Sequence, residues 1–342
     1  MHKAQMKKIY PILLASLVLT LSMAFSSFSA EKADQQENTG KIAFCQHDGR
    51  YWQIWVMDLD GANRKQLTDS PVDKRSPDFS GDGKRIVYVT NEGRLWVMDS
   101  DGSKNTLIPL KVSAAEPRWC FIDLSTSKNK SVEVNTAFSR GEERSNTSLP
   151  SVFGKEKASK DKKIIFTSYR GISFLDDSDV WLVDADGSHL EKIIRRPSIQ
   201  FLPQVSDSGE EIVFTDVLES VGHEIFKYDL KTKDYTQLTQ NSSHDTAPVF
   251  VLDGEKVLYT SDEDGNYDIW IMDKFGQHQK NLTHRPAFDS SPAAGQDGKA
   301  IFFLSDAKNG MQIWSMDIDG KDLRLITDDA SDKQDISVYT KR

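Results

Sequence analysis

One short stretch, Asp268-Ile269-Trp270-Ile271-Met272-Asp273, recurs along this chain as an aromatic residue followed three positions later by Asp. Trp55 to Asp58, Trp96 to Asp99, Trp181 to Asp184, Phe226 to Asp229 and Trp314 to Asp317 repeat it. Successive aromatics are 41, 85, 45, 44 and 44 residues apart, so each interval is one period near 44 or close to two. Self-similarity at such a period means an array of supersecondary units rather than one continuous core.

The unit has further landmarks in fixed register. A Leu-Thr or Ile-Thr pair ends at Thr68, Thr239, Thr283 and Thr327, and Pro77, Pro248 and Pro292 follow the first three of these threonines at a constant distance. Beyond each proline come an apolar and an aromatic strand residue: Ile86 and Tyr88, Val257 and Tyr259, Ile301 and Phe303, with Pro203, Ile212 and Phe214 keeping the spacing. Each unit therefore reads as four strands: A around Pro-x-Phe, B, C with Trp-x-x-Asp, and D ending in Leu-Thr. Ser80-Gly81-Asp82-Gly83 lies between A and B, and Asp-x-Asp-Gly turns such as Asp58 to Gly61 and Asp317 to Gly320 lie between C and D. Gly supplies the positive φ of tight hairpins and Asp caps the turn with its side chain. Four strands per period with a hairpin at each corner make one blade of a β-propeller, so the fold class is all-β.

No strand A precedes the first B strand, Lys41 to Phe44. The register after Thr327 places a strand A within residues 335–339, where the C-terminus completes the N-terminal blade and closes a ring of six, leaving no exposed sheet edge. Pro117-Arg118-Trp119 and Ile164-Ile165-Phe166 read as strands A and B of blade three, with 38 extra residues between them, near 120–162. Their Ser, Lys and Glu content reads as a mobile excursion, and a degenerate seventh blade is the rival reading.

Residues 1–30 carry Lys3, Lys7 and Lys8, an apolar run from Ile9 to Phe25, and then small residues to Ala30, which reads as a secretory signal peptide rather than an anchor. Residues 31–40 read as a flexible lead-in to a propeller over 41–342. Loss of residues 1–30 would remove three positive charges and no negative ones, taking the net charge from -9 to -12. An acidic surface of that kind argues against nucleic acid and anionic lipid as partners and favours a protein or peptide in the cell envelope, bound by a monomer.

The pattern Pro-x-Phe-Ser-x-Asp-Gly-Lys-x-Ile-x-Tyr, then Ile-Trp-x-Met-Asp-x-Asp-Gly, then Leu-Thr resembles the repeats of the TolB-like propellers over residues 41–339. The resemblance implies a periplasmic six-bladed scaffold that binds other proteins, here without the α/β domain that precedes the propeller in TolB. Family members also include propeller domains of prolyl-oligopeptidase-like peptidases and oligogalacturonate lyases, and fold alone does not choose among them.

The sequence shows no Gly-x-Ser-x-Gly elbow and no zinc-helix histidine pair. The Asp-x-Asp-Gly turns lack the further oxygen ligands of a calcium loop, and the most acidic loop, Ser261 to Asp268, reads as a structural turn with a weak cation site as the alternative. No cofactor or metal is expected, and no catalytic residue is assigned. Cys45 and Cys120 fall in different blades and read as unpaired. The recurring tryptophans read as packing between sheets. Function is sought where the repeats differ, in the D-to-A connections: Lys74, Arg75, Glu116, Gln200, Phe201, Asp245, Thr246, Asp289, Ser290 and Gln334 read as loop residues whose side chains converge on one channel mouth. The reading is a non-catalytic scaffold that binds a protein or peptide there. The alternative is a polysaccharide lyase of the oligogalacturonate type or another carbohydrate-active propeller, with His244 and His284 among its candidate ligands.

Overall fold

The computed structural model describes residues 40–122, 163–169, 178–218, 222–295 and 298–341. They form six four-stranded antiparallel sheets. Blade two runs Lys74–Phe79, Arg85–Thr90, Leu95–Asp99 and Thr106–Ile108 as strands A to D, and blades three to six follow the same order. Blade one takes its B, C and D strands from Gly40–His47, Trp52–Asp58 and Lys65–Gln66, and its A strand from Lys333–Thr340. Gly40 pairs with Thr340 and Ile42 with Val338, so the closure expected at 335–339 is present and three residues longer.

Each A strand touches the A strands of the blades on both sides, and the cycle is complete, so the six A strands wall a central channel. The core has no single centre. Six clusters of buried apolar side chains each join two neighbouring blades: Ile42, Phe44 and Met57 of blade one meet Phe302, Leu304 and Ile313 of blade six, for example. Trp55, Trp96, Trp181 and Trp314 are half-buried against four of these clusters and Trp270 lies within a fifth, which is the packing role expected of them.

The Asp-x-Asp-Gly turns serve the same seams. Asp317 accepts the amides of Asp319 and Lys321 at 3.0 and 2.7 Å, closing its hairpin. Gly320 sits at φ 85°, and a Cβ there would stand 2.7 Å from the Leu282 carbonyl oxygen of blade five. The glycine is thus required twice, by the turn and by the neighbouring blade.

The 38-residue excursion leaves the channel end of strand A in blade three, Ala115–Cys120, and returns as Lys163–Tyr169. Residues 123–162, like residues 1–39, lie outside the described part of the chain. Cys45 and Cys120 are free thiols.

Candidate functional site

The innermost strands converge on the channel, and their positions are best numbered from the strand-A proline, replaced by Ile336 in blade one. Every A strand bulges at the residue just before it. Ser76, Glu116, Leu202, Ala247, Ser291 and Asp335 occupy this position in the six blades, each with φ between 51° and 53°. None is glycine, so each A strand holds a side-chain-bearing residue in the left-handed region, at some cost in backbone energy. The bulge re-aims the strand so that this residue and the one after the proline line the channel.

The channel has a volume of about 480 Å³, and its described wall extends from these bulges to the A-to-B turns. At the level of the bulges its charged groups sit on three consecutive blades, and Asp82, Asp207 and Asp253 line it at the A-to-B turns. Asp78 accepts the Ser337 hydroxyl at 2.9 Å, the Trp119 amide at 2.7 Å and Arg118 Nη1 at 3.2 Å. Glu116 accepts the Leu202 amide at 2.6 Å and the Thr167 hydroxyl at 3.1 Å. Asp335 accepts the Ser76 amide at 3.1 Å. Burial raises the pKa of all three carboxyls, and Asp335 adds to the rise at Glu116 by like-charge repulsion. On the other side the wall turns apolar, with Val249 and Ala293 after the prolines of blades five and six. Just after the prolines the wall is therefore polar or charged on blades one to four and apolar on the remaining two.

The ten residues expected at the D-to-A mouth fall into three different rows. Lys74, Gln200, Asp245 and Asp289 stand three places before the proline and are buried, not exposed loop residues. Each turns back onto the loop before it: Lys74 Nζ donates to the Ser70 carbonyl at 3.2 Å, Asn241 Nδ2 donates to Asp245 at 3.0 Å, and Arg285 holds Asp289 with bonds of 2.7 and 2.8 Å. Gln200 donates to the Ser198 carbonyl at 2.6 Å. Arg75, Phe201, Thr246, Ser290 and Gln334 form the next row, half-buried. Glu116 is one place further on and is the one residue of the ten that lines the channel. The sequence reading missed Asp78, Arg118 and Asp335. Their signal was the changing residue type on either side of a position that is proline in five of the six blades and Ile336 in the other.

At the outer part of the mouth, potential ligand atoms of Asp264, Asp268 and His284 lie within 4.8 Å of one another. Both oxygens of Asp268 already accept hydrogen bonds, from Thr283 at 2.9 Å and Asn281 at 2.8 Å, and Asn281 also donates to Asp264 at 2.9 Å. A carboxylate oxygen can accept such a bond and still ligate a metal, so these donors orient Asp264 and Asp268 without excluding an ion. His244 is not in this group; its Nδ1 lies 3.1 Å from Asp262 and its ring stands edge-on to His223 at 5.0 Å.

Comparison with known proteins agrees with this architecture. A family model described as the TolB beta propeller domain matches residues 153–340, more than half of the chain. The Tol-Pal system protein TolB of Roseobacter denitrificans is 46% identical over 55 residues, which is 15% of this chain and 12% of that protein. The match thus spans far less than two thirds of that relative. TolB from Acinetobacter baumannii aligns in structure with a TM-score of 0.67 at 16% identity, covering 88% of this chain and 67% of that one. An oligogalacturonate lyase in complex with manganese aligns with a TM-score of 0.53 at 14% identity, covering 84% and 73%. Likeness at such identities speaks for the fold alone.

Proposed function

We propose, from the premise that this chain belongs to the TolB beta propeller domain family, that it is an exported, non-catalytic scaffold of the cell envelope that receives a segment of another protein in its central channel. The observation that carries this reading is the wall of the channel: six blades alike in backbone present side chains that differ from blade to blade, around about 480 Å³ of space. That volume falls in the range of about 300–1,000 Å³ typical of specific ligand pockets. Export is supported by the basic and then apolar segment over residues 1–30, and the acidic net charge fits a protein partner better than a nucleic acid.

The test is position-specific capture in envelope extract. A photo-crosslinking residue replacing Val249, on the apolar wall, should yield a discrete protein adduct, and one replacing Asp60, in a C-to-D turn, should not. Adducts from neither position, or equally from both, would overturn the channel reading.

The lyase alternative retains one favouring observation, the group of Asp264, Asp268 and His284 on the mouth side. Arg285, beside it in sequence, is engaged by Asp289 and by the Ser305 hydroxyl at 2.9 Å. A cation to stabilise an enolate would have to be released from that pair. Manganese content after dialysis, together with absorbance of the unsaturated product from oligogalacturonate, separates the two readings.

A further inference from the structure

Six carboxylates and one guanidinium line the channel; Asp82, Asp207 and Asp253 stand at its A-to-B turns, and among the three deeper ones the pairing is uneven. Arg118 reaches Asp78 at 3.2 Å. Glu116 and Asp335 receive only amide and hydroxyl donors, and among the described residues neither has a cationic side chain at ion-pair distance. Both line the same confined space, and the charge of Asp335 disfavours ionisation of Glu116. Arg75 and Arg118 lie near enough for their charges to act on these carboxyls but not to pair with them, so in a narrow channel both carboxylates still gain from a cation that enters from outside.

The rim of the A-to-B end adds a second, different property. Phe121 and Leu252 line the opening and are 50% and 38% exposed, two of the seven large apolar side chains exposed among the described residues and the two of them that line the channel. Apolar contacts at the rim with an unpaired negative charge inside describe one kind of occupant. We propose that the channel is entered from its A-to-B end by a basic side chain of a partner segment, held between Glu116 and Asp335 while flanking apolar residues of that segment cover Phe121 and Leu252. A planar guanidinium suits this pair better than an ammonium, because its five N–H donors are spread over a wider, fixed fork and it is more weakly hydrated. The inference rests on the channel-binding reading above and adds the charge, the chemical class and the end of entry.

The probe is a pair of labelled, otherwise apolar hexapeptides, one with a central arginine and one with citrulline, its uncharged isostere, followed by fluorescence anisotropy with the full chain. The arginine peptide should bind at least about tenfold more tightly, and raising the salt should narrow the gap. In the double variant Glu116→Gln, Asp335→Asn the preference should vanish. Asp60→Asn with Asp101→Asn, which removes two charges from C-to-D turns, should keep it within about twofold.

A misfolded variant would not imitate this result. Burial raises the pKa of Glu116 and Asp335, so their ionised forms cost stability above those pKa values, and neutral isosteres should hold or raise the melting temperature at pH 8. Equal binding of the two peptides, or an arginine preference that survives in the double variant, overturns the inference. If a Val249 adduct nevertheless forms in extract, the scaffold reading stands while the charge assignment falls. If the arginine peptide is selected but no adduct forms, the charged site stands and the protein-scaffold reading falls.

Discussion

A threonine hydroxyl explains the Leu-Thr signature. Thr327 Oγ1 donates to Gln312 Oε1 at 2.8 Å and accepts the Ile313 amide at 2.9 Å, tying the end of strand D to the start of strand C inside blade six. Thr68 with Gln53, Thr239 with Glu224 and Thr283 with Asp268 repeat the staple. Replacing Thr327 by the isosteric Val leaves a buried amide and a buried amide oxygen without their partner, so urea unfolding should show a loss of about 1–3 kcal/mol. A midpoint unchanged from wild type would mean that the staple contributes nothing. The threonine could be read as a repeat marker from sequence, but its role could not, because its partner differs in type from blade to blade. Lys74, Gln200, Asp245 and Asp289 were misread for a related reason. Polar residues after a loop are ordinarily exposed, and only the backward bonds to that loop make burial tolerable here.

At the scale of the element, the strand that closes the ring is fastened by charge as well as by its ladder. Lys333, fully buried, donates to Asp329 at 2.7 Å, and Arg64 of blade one donates to the same carboxylate at 2.5 Å. Burial alone would raise the Asp329 pKa, but the bonds from Arg64 and Lys333 hold it down at about 2. A depressed carboxyl stabilises the fold above its unfolded pKa, near 3.8, and that contribution drains away as pH falls from about 4 to about 2. Asp329→Asn should therefore cost about 1–3 kcal/mol at pH 7, discounted from the fully buried case because Asp329 is partly exposed. The difference from wild type should shrink on acidification through that window. Denaturant midpoints at pH 7, 4 and 2.5 measure it, and a gap that stays constant to pH 2.5 would show that the clip is not electrostatic. The closing strand was legible because its register follows from Thr327; the clip was not, because Arg64 and Asp329 are 265 residues apart.

For the whole molecule, six blades and their order were readable from period and register. The side of the channel that carries its charge was not. The six non-glycine residues in left-handed conformation within the A strands leave no trace in composition, and it is their bulges that bring Asp78, Glu116, Arg118 and Asp335 inward. The excursion is anchored at a hairpin position, where insertions disturb neither strand pairing nor seam. Replacing residues 125–160 by a short Gly-Ser turn should leave a cooperative melt within a few degrees of wild type; a broad or absent transition would show that those residues are needed for the ring.

The pairing of Gly40 with Thr340 also orders events in time. A chain that emerges amino-terminus first presents the B strand of blade one long before the strand that covers its edge, so that blade stays incomplete until almost all of the chain has appeared. Pairing at such separation is slow, because a large loop entropy must be overcome before any contact forms. In the interval the open edge can join a second chain as readily as its own carboxy-terminal strand. The same pairing that removes the last sheet edge from the finished ring thus makes the final step of folding the one most sensitive to concentration and to the speed of chain delivery.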